Sequence, residues 1–201
     1  MLVFAKEKLV FLAVPKTGTT ALEAALAPHA DVVLRNPPNL KHTPAYRYHH
    51  QLRPYFEGSG LKNLELVCIL REPVSWLGSW YRYRGRADKD GARNSTKGIA
   101  FDHFVDEYCK GTPAPFADLG YPPKFIRRRS GDMIIDHLFQ YEQIDKAVTF
   151  FEDRLGVSLA LGQRNVSPPG DLTLSEKTVA KLRRKRAQMF EDWDAAFRSD
   201  G

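Results

Sequence analysis

A short loop near the N-terminus combines residue types that bind anions: Pro15-Lys16-Thr17-Gly18-Thr19-Thr20. It lies between the apolar run Leu9–Val14, typical of a buried strand, and the segment Thr19–Ala27, which has helical periodicity. A glycine lets the backbone approach a ligand closely, and the first-turn N–H groups of a helix attract anions. The lysine adds positive charge and the threonines add hydroxyl donors. The loop therefore predicts a phosphate-type site, although it differs from the P-loop pattern G-x-x-x-x-G-K-[ST]. A plain strand–helix turn with exposed threonines is the alternative.

A second candidate anion-binding group follows the other strongly apolar run. Arg71 comes directly after Leu64–Leu70, and Ser79 lies eight residues later, about two turns into a helix predicted to begin at Pro73. The planar guanidinium can hold two phosphate oxygens at once. The alternative is that Arg71 ends the strand and pairs with Glu72 or another carboxylate.

The elements that must position these residues alternate between strands and helices. Besides the two apolar runs, we expect a hairpin strand and two further strands, and then helices in six segments. The strands are Leu2–Ala5, Asp31–Leu34 and Met133–Phe139, and the helices are Thr19–Ala27, part of Pro44–Phe56, Pro73–Tyr83, Phe101–Lys110, Glu142–Leu155 and Ser175–Phe197. This alternation predicts an α/β fold with a mostly parallel sheet, in which ligands bind beyond the C-terminal ends of the strands. The length predicts a single domain over residues 1–201.

Together, the two motifs resemble those of the sulfotransferases that use 3′-phosphoadenosine-5′-phosphosulfate (PAPS). Lys16–Thr20 looks like their 5′-phosphosulfate loop, P-K-[ST]-G-[ST]-T, and Arg71 with Ser79 looks like their 3′-phosphate motif. The segment Phe139–Glu142 and the C-terminal helix through Glu191–Asp194 are similar to the carbohydrate sulfotransferase branch. The resemblance implies a three-layer, P-loop-like sulfotransferase fold with helices on both sides of a central sheet.

The resemblance also implies roles for individual residues. Lys16 would stabilise charge on the leaving group, and His42, in Lys41-His42-Thr43-Pro44, would be the general base, since a histidine can accept a proton near neutral pH. Alternatives for the base are His49, His50, Glu23 and Glu57, and His42 could instead be an ordinary exposed loop residue. PAPS would be held by Lys16, Thr17, Gly18, Thr19, Thr20, Arg71, Ser79 and Arg164.

Composition restricts the partners and the compartment. The chain has 201 residues and a formal net charge of +6, which favours anionic partners such as nucleotides or acidic glycans. Its two cysteines, Cys68 and Cys109, are too few for a disulfide framework or a zinc site, which favours a reducing compartment and predicts no metal. No apolar stretch approaches the roughly 20 residues needed to span a bilayer. We therefore expect a cytoplasmic enzyme whose acceptor is a small molecule or glycan, sulfated on a hydroxyl or amine.

Two other functions are compatible with parts of the sequence. A nucleotide or small-molecule kinase would share the strand–loop–helix arrangement, but it would need a later lysine and a carboxylate for Mg²⁺, whereas Leu64–Leu70 is followed by Arg71-Glu72-Pro73. A basic, non-enzymatic nucleic-acid-binding domain is weakly favoured by the run Arg183–Arg186, but no recognition motif accompanies it. We therefore expect no nucleic-acid partner.

Overall fold

Five short strands form one sheet in the computed structural model of the protein, which describes residues 1–162 and 172–198. The strands are β1 (Leu2–Phe4), β2 (Leu9–Leu12), β3 (Val32–Val33), β4 (Glu65–Leu70) and β5 (His137–Gln140). Their spatial order is β3-β1-β2-β4-β5. The two apolar runs of the sequence therefore become neighbouring central strands, β2 and β4.

The sheet is mixed: β1 runs opposite to the other four strands, so the expectation of a mostly parallel sheet holds in part. β2, β4 and β5 run parallel, with Leu12 opposite Cys68 and Leu70 opposite Gln140. β1 is antiparallel to both of its neighbours, β2 and β3. The four-residue connection between β1 and β2 explains this, because parallel neighbours need a crossover of a dozen or more residues. The hairpin itself is as predicted.

The helices occupy most of the predicted segments. The α-helices are α1 (Thr19–Leu26), α2 (Pro38–Lys41), α3 (Ala45–Arg47), α4 (Arg53–Gly58), α5 (Pro73–Arg84), α6 (Phe101–Tyr108), α7 (Ile144–Leu155), α8 (Glu176–Lys185) and α9 (Ala187–Arg198). A π-helical turn, Tyr48–Leu52, joins α3 to α4, and a 3-10 turn, Tyr141–Gln143, joins β5 to α7. Gly156 ends α7 in the left-handed conformation expected of a C-terminal cap.

Two predicted elements differ from the structure. The single C-terminal helix is interrupted at Arg186, which leaves helical geometry and donates a side-chain hydrogen bond to the carbonyl of Tyr108 at 2.6 Å. The strand expected from Met133 begins only at His137, because Met133 instead forms an isolated antiparallel bridge with Arg127.

Apolar side chains cover both faces of the sheet, as expected for parallel strands with helices on either side. On one face, Phe11 and Ile69 pack with Leu22 of α1 and Phe151 of α7. On the other face, a separate cluster of buried residues joins the strands to α3, the π-helical turn, α4 and the end of α9; it includes Val10, Cys68, Tyr48, Phe56 and Ala196. The protein is therefore an α/β protein with a three-layer arrangement around this sheet.

The chain divides into two units of dense internal contact. The first contains the sheet and consists of Met1–Arg71, Tyr121–Asn165 and Trp193–Gly201, whereas the second consists of Glu72–Gly120 and Val166–Asp192. Within the second unit, Asp102 on α6 accepts hydrogen bonds from the backbone N–H and the hydroxyl of Ser175 at 2.7 and 3.0 Å, where α8 begins. Each unit is thus assembled from segments that are distant in sequence.

Candidate functional site

The loop between β2 and α1 has a constrained backbone. Lys16 and Gly18 both have positive φ angles, 69° and 71°. Glycine adopts this left-handed conformation easily, whereas a non-glycine residue in it is strained, and such strain is often found at functional sites. The buried hydroxyl of Thr17 donates to the carbonyl of Val14 at 2.9 Å, which closes the loop from inside. Thr17 would therefore offer a ligand its backbone N–H rather than its hydroxyl hydrogen.

Helix α1 begins directly after this loop, with Gly18 as its N-cap. The carbonyl of Gly18 accepts the N–H groups of Ala21 and Leu22 at 3.1 and 3.2 Å, and no side chain caps the helix. Helix geometry leaves the N–H groups of Thr19 and Thr20 without intrahelical acceptors. The threonine side chains differ, since Thr19 is buried and Thr20 is exposed. The N-terminus of α1 therefore carries the donors and the positive dipole end that an anion requires.

Arg71 lies beside the same loop, at the end of β4. Its Nη1 donates to the carbonyl of Lys16 at 3.3 Å, and its guanidinium lies 4.5 Å from the centre of the Tyr141 ring. Tyr141 follows β5 directly, and its ring also closes over Gly18: a Cβ atom at Gly18 would lie 2.9 Å from Tyr141 Cε2. Three neighbouring parallel strands therefore bring the loop, the arginine and the tyrosine together at their C-terminal ends.

Tyr141 is a residue to which the sequence assigned no role. Its only signal was its place in the segment Phe139–Glu142, immediately after a predicted strand. The structure adds two reasons for its presence, because the ring supports the Arg71 guanidinium and fills the space that the missing side chain of Gly18 leaves. The conformations of Gly18 and Arg71 are thus linked through one aromatic ring.

His42 is anchored to the end of β2. Its Nδ1 lies 2.8 Å from the carbonyl oxygen of Ala13. Because a carbonyl can only accept, Nδ1 carries the hydrogen, and the lone pair of the neutral ring is on Nε2. Burial lowers the pKa of His42, the hydrogen bond to Ala13 opposes that effect, and the charge of Lys41 lowers the pKa further. The ring is therefore neutral at pH 7, as a general base must be.

Glu23 holds the segment before His42 against α1. Lys41 Nζ lies 2.7 Å from Glu23 Oε2, and Arg35 pairs with the other carboxylate oxygen. Burial raises the pKa of Glu23, but the hydrogen bonds from Lys41 and Arg35 outweigh this effect and keep the pKa below its usual value. A carboxylate with a lowered pKa is a poor base, so the contacts of Glu23 favour a positioning role.

The structure places the remaining predicted residues on other elements. Glu57 pairs with Arg53 at 2.7 Å on α4, and the adjacent rings of His49 and His50 lie on the π-helical turn. Ser79 is buried on α5, in the second unit. Arg164 lies outside the described residues. The structure therefore brings together Lys16–Thr20 and Arg71 and places His42 at the end of the same strand β2.

The described residues form neither a cluster of metal ligands nor a helix that could span a membrane. Within residues 1–162 and 172–198, no group of three or more His, Cys, Asp or Glu side chains is placed to hold a metal ion. No helix in that part of the chain has the length and apolar character needed to cross a membrane. Comparisons of the chain with models of known protein families, with curated proteins and with solved structures found no match.

Proposed function

We propose that the protein transfers a sulfuryl group from PAPS to a hydroxyl or amine of its acceptor. The observation that carries this proposal is the contact between Arg71 and the loop Lys16–Thr20, which join the ends of two adjacent parallel strands. PAPS has two separate anionic groups, a 5′-phosphosulfate and a 3′-phosphate. A donor of this kind needs two fixed positive regions, and the loop and Arg71 supply one each.

The chemistry requires positioning and electrostatic stabilisation more than covalent catalysis. A lone pair of the acceptor oxygen or nitrogen attacks sulfur, and the bond between sulfur and the bridging phosphate oxygen breaks. The products are the sulfated acceptor and 3′-phosphoadenosine-5′-phosphate. Lys16 and the N-terminus of α1 would stabilise the negative charge that develops on the leaving phosphate, as cations and helix N-termini do in phosphoryl transfer.

His42 is the base that we assign to this reaction. With Nδ1–H held by the carbonyl of Ala13, Nε2 would take the proton that the acceptor loses. Ala13 precedes Lys16 by three residues, so their Cα atoms lie within about 11 Å of each other. That proximity, together with the lowered pKa of His42, favours it over Glu23 and Glu57, whose carboxylates form ion pairs.

Several finer assignments stay predictions. They are the PAPS-type P-loop-like fold, the binding of the 3′-phosphate by Ser79 and Arg164, a glycan as acceptor, and a cytoplasmic location. The kinase alternative has one observation against it, because the carboxylate of Glu72 accepts the N–H of Ser75 at 2.7 Å and caps α5. Because that carboxylate already accepts a hydrogen bond from the first turn of α5, it is less available as a ligand for Mg²⁺.

Calorimetry with 3′-phosphoadenosine-5′-phosphate and AMP tests the donor site. We expect the bisphosphate to bind more tightly, and Arg71→Ala to lose about 1.5–3 kcal/mol of its binding free energy, the range for hydrogen bonds to charged groups. Arg93→Ala, which removes an exposed arginine from the second unit, is the matched control and should bind normally. Equal affinity for AMP and the bisphosphate would refute the donor assignment. If the bisphosphate binds more tightly, mass detection of sulfated products over a panel of alcohols, amines and glycans would identify the acceptor.

A further inference from the structure

A concave region lies in the first unit, between the π-helical turn and the loop that precedes β5. The cavity has a volume of about 570 Å³. This is within the range of roughly 300–1,000 Å³ that is typical of small-ligand pockets. The side chains that define its character are Tyr46, Arg47, His49, His50, Arg128 and Arg129.

The described residues that line this cavity are mainly basic and include no carboxylate. Among the described residues, Arg128 and Arg129 have no carboxylate within ion-pair distance, and Arg47 makes only a long contact of 3.5 Å to the carbonyl of Asn39. Other arginines of the same unit are neutralised, since Arg53 pairs with Glu57 and Arg154 pairs with Glu65. The cavity therefore concentrates positive charge that no carboxylate of residues 1–162 and 172–198 pairs with.

One polar atom of the cavity also has no partner. Nδ1 of His49 is buried and, within the part of the chain that the structure describes, forms no hydrogen bond. A buried polar atom without a partner costs free energy and calls for an explanation such as a ligand or bound water. Arg128 lies close enough to contribute, after burial, to the lowered pKa of His49. An oxyanion bound in the cavity would neutralise the guanidinium of Arg128.

The guanidinium of Arg129 is supported by a neighbouring aromatic ring. Arg129 lies 5.5 Å from the centre of the Tyr46 ring, which supports its planar group from one side. Arg128 is its neighbour in sequence and lines the same cavity. Arginine forks bind sulfate and phosphate oxygens in pairs, and a preorganised fork loses less freedom on binding.

We infer that this cavity binds a small ligand that carries a sulfate or phosphate group, at a site different from the one proposed for PAPS. The limited, concave volume favours a compact molecule over an extended nucleic acid. The inference does not rest on sulfuryl transfer, because it concerns binding in the absence of donor and acceptor chemistry. Glucose 6-sulfate and glucose 6-phosphate are suitable probes, since each joins the required anion to one sugar ring, and glucose is their uncharged control.

Calorimetry and NMR of the full chain test this inference. We expect both esters to bind and glucose not to bind, with amide shifts concentrated in residues 46–51 and 127–130. Arg128→Gln/Arg129→Gln should weaken ester binding roughly tenfold or more, as expected when hydrogen bonds to a charged group are lost. Lys6→Gln/Lys62→Gln removes the same charge from exposed positions outside the cavity and should change the affinity less than about threefold. Both variants change exposed side chains, so their circular dichroism should be that of the wild type.

Several outcomes would overturn the inference. Equal losses in the two double variants would show that general surface charge binds the esters. Amide shifts on ester binding that are concentrated in residues 16–20 and 71, and not in residues 46–51 and 127–130, would place the probe in the donor site. Tighter binding of a single-stranded oligonucleotide, abolished by Arg128→Gln/Arg129→Gln, would identify the cavity as part of a nucleic-acid surface. Ester binding that persists beside the bound bisphosphate would support the inference.

Discussion

Replacing Gly18 with alanine tests whether Tyr141 forms a wall of the candidate site. The new Cβ would lie 2.9 Å from Tyr141 Cε2, whereas carbon atoms in favourable contact are about 3.5–4.0 Å apart. The ring would therefore have to retreat by at least about 0.6 Å, and the Arg71 guanidinium that lies over it would lose part of its support. The substitution would therefore affect the position of Arg71 indirectly, through the Tyr141 ring.

Gly156 provides a matched control for the backbone. Gly18 and Gly156 have similar positive φ angles, 71° and 66°, but a Cβ at Gly156 would meet no atom within 4 Å. Placing alanine in the left-handed conformation costs about 1–2 kcal/mol in either position. Only Gly18→Ala adds overpacking, which typically costs about 1–3 kcal/mol. We therefore expect Gly18→Ala to destabilise the protein by about 1–3 kcal/mol more than Gly156→Ala.

Urea unfolding and calorimetry measure the two consequences. Gly18→Ala should also weaken the binding of 3′-phosphoadenosine-5′-phosphate by roughly tenfold, or about 1.4 kcal/mol, whereas Gly156→Ala should bind normally. Tyr141→Ala, alone and combined with Gly18→Ala, completes a double-mutant cycle, and the removal of the ring should relieve most of the extra cost. Equal stabilities for the two glycine variants, together with no coupling in the cycle, would refute the packing of Tyr141 against the loop.

Four further predictions concern the reaction, its pH dependence and the pH dependence of stability. Lys16→Ala should weaken donor binding and slow turnover. His42→Ala should leave donor binding unchanged and lower turnover by roughly 10²–10⁴, the usual contribution of acid–base catalysis. Wild-type turnover in His42→Ala would show that another residue is the base. Because the pKa of His42 is lowered, the midpoint of the rise of the wild-type rate with pH should lie below the ordinary histidine pKa of 6.5, and the rise should disappear in His42→Ala. A wild-type midpoint above 6.5 would contradict the assignment. Transfer should persist in excess EDTA, and loss of activity restored by Mg²⁺ would favour the kinase. The folded-state pKa of Glu23 is depressed, so its ion pairs should stabilise the protein above pH 4.5, and this stabilisation should be lost as the pH falls through the depressed pKa. In urea unfolding, the free energy of unfolding of Glu23→Gln should lack this pH-dependent stabilisation. The same pH dependence in Glu23→Gln and wild type would contradict the prediction.

The sequence was sufficient to predict the two central strands and the loop that follows each of them. Leu9–Val14 and Leu64–Leu70 are continuous apolar runs, which is typical of strands buried on both faces. The loop Pro15–Thr20 and Arg71 directly follow these runs, so their placement at one edge of the sheet needed only the parallel pairing of β2 and β4.

The rest of the site depends on contacts between distant residues, which local patterns do not encode. Tyr141 meets Gly18 and Arg71 only because β5 lies beside β4, and the sequence between these strands passes through the second unit. The basic cavity likewise joins residues 46–51 to residues 128–130. The interruption at Arg186 has no periodic signal, since it is decided by a side-chain contact with the carbonyl of Tyr108.

The discontinuous makeup of the two units also determines the order in which the protein can fold on the ribosome. The sheet lacks β5 until roughly seventy residues after β4 have been added, which takes about 4–14 s at ordinary rates of synthesis. During that interval the β4 edge has no partner, and the apolar side chains that later meet Phe151 are uncovered. The nascent chain therefore exposes a hydrophobic strand edge for about a third of its synthesis. Such an edge is a recognised aggregation hazard, so the yield of folded protein should depend on chaperones and on the speed of translation.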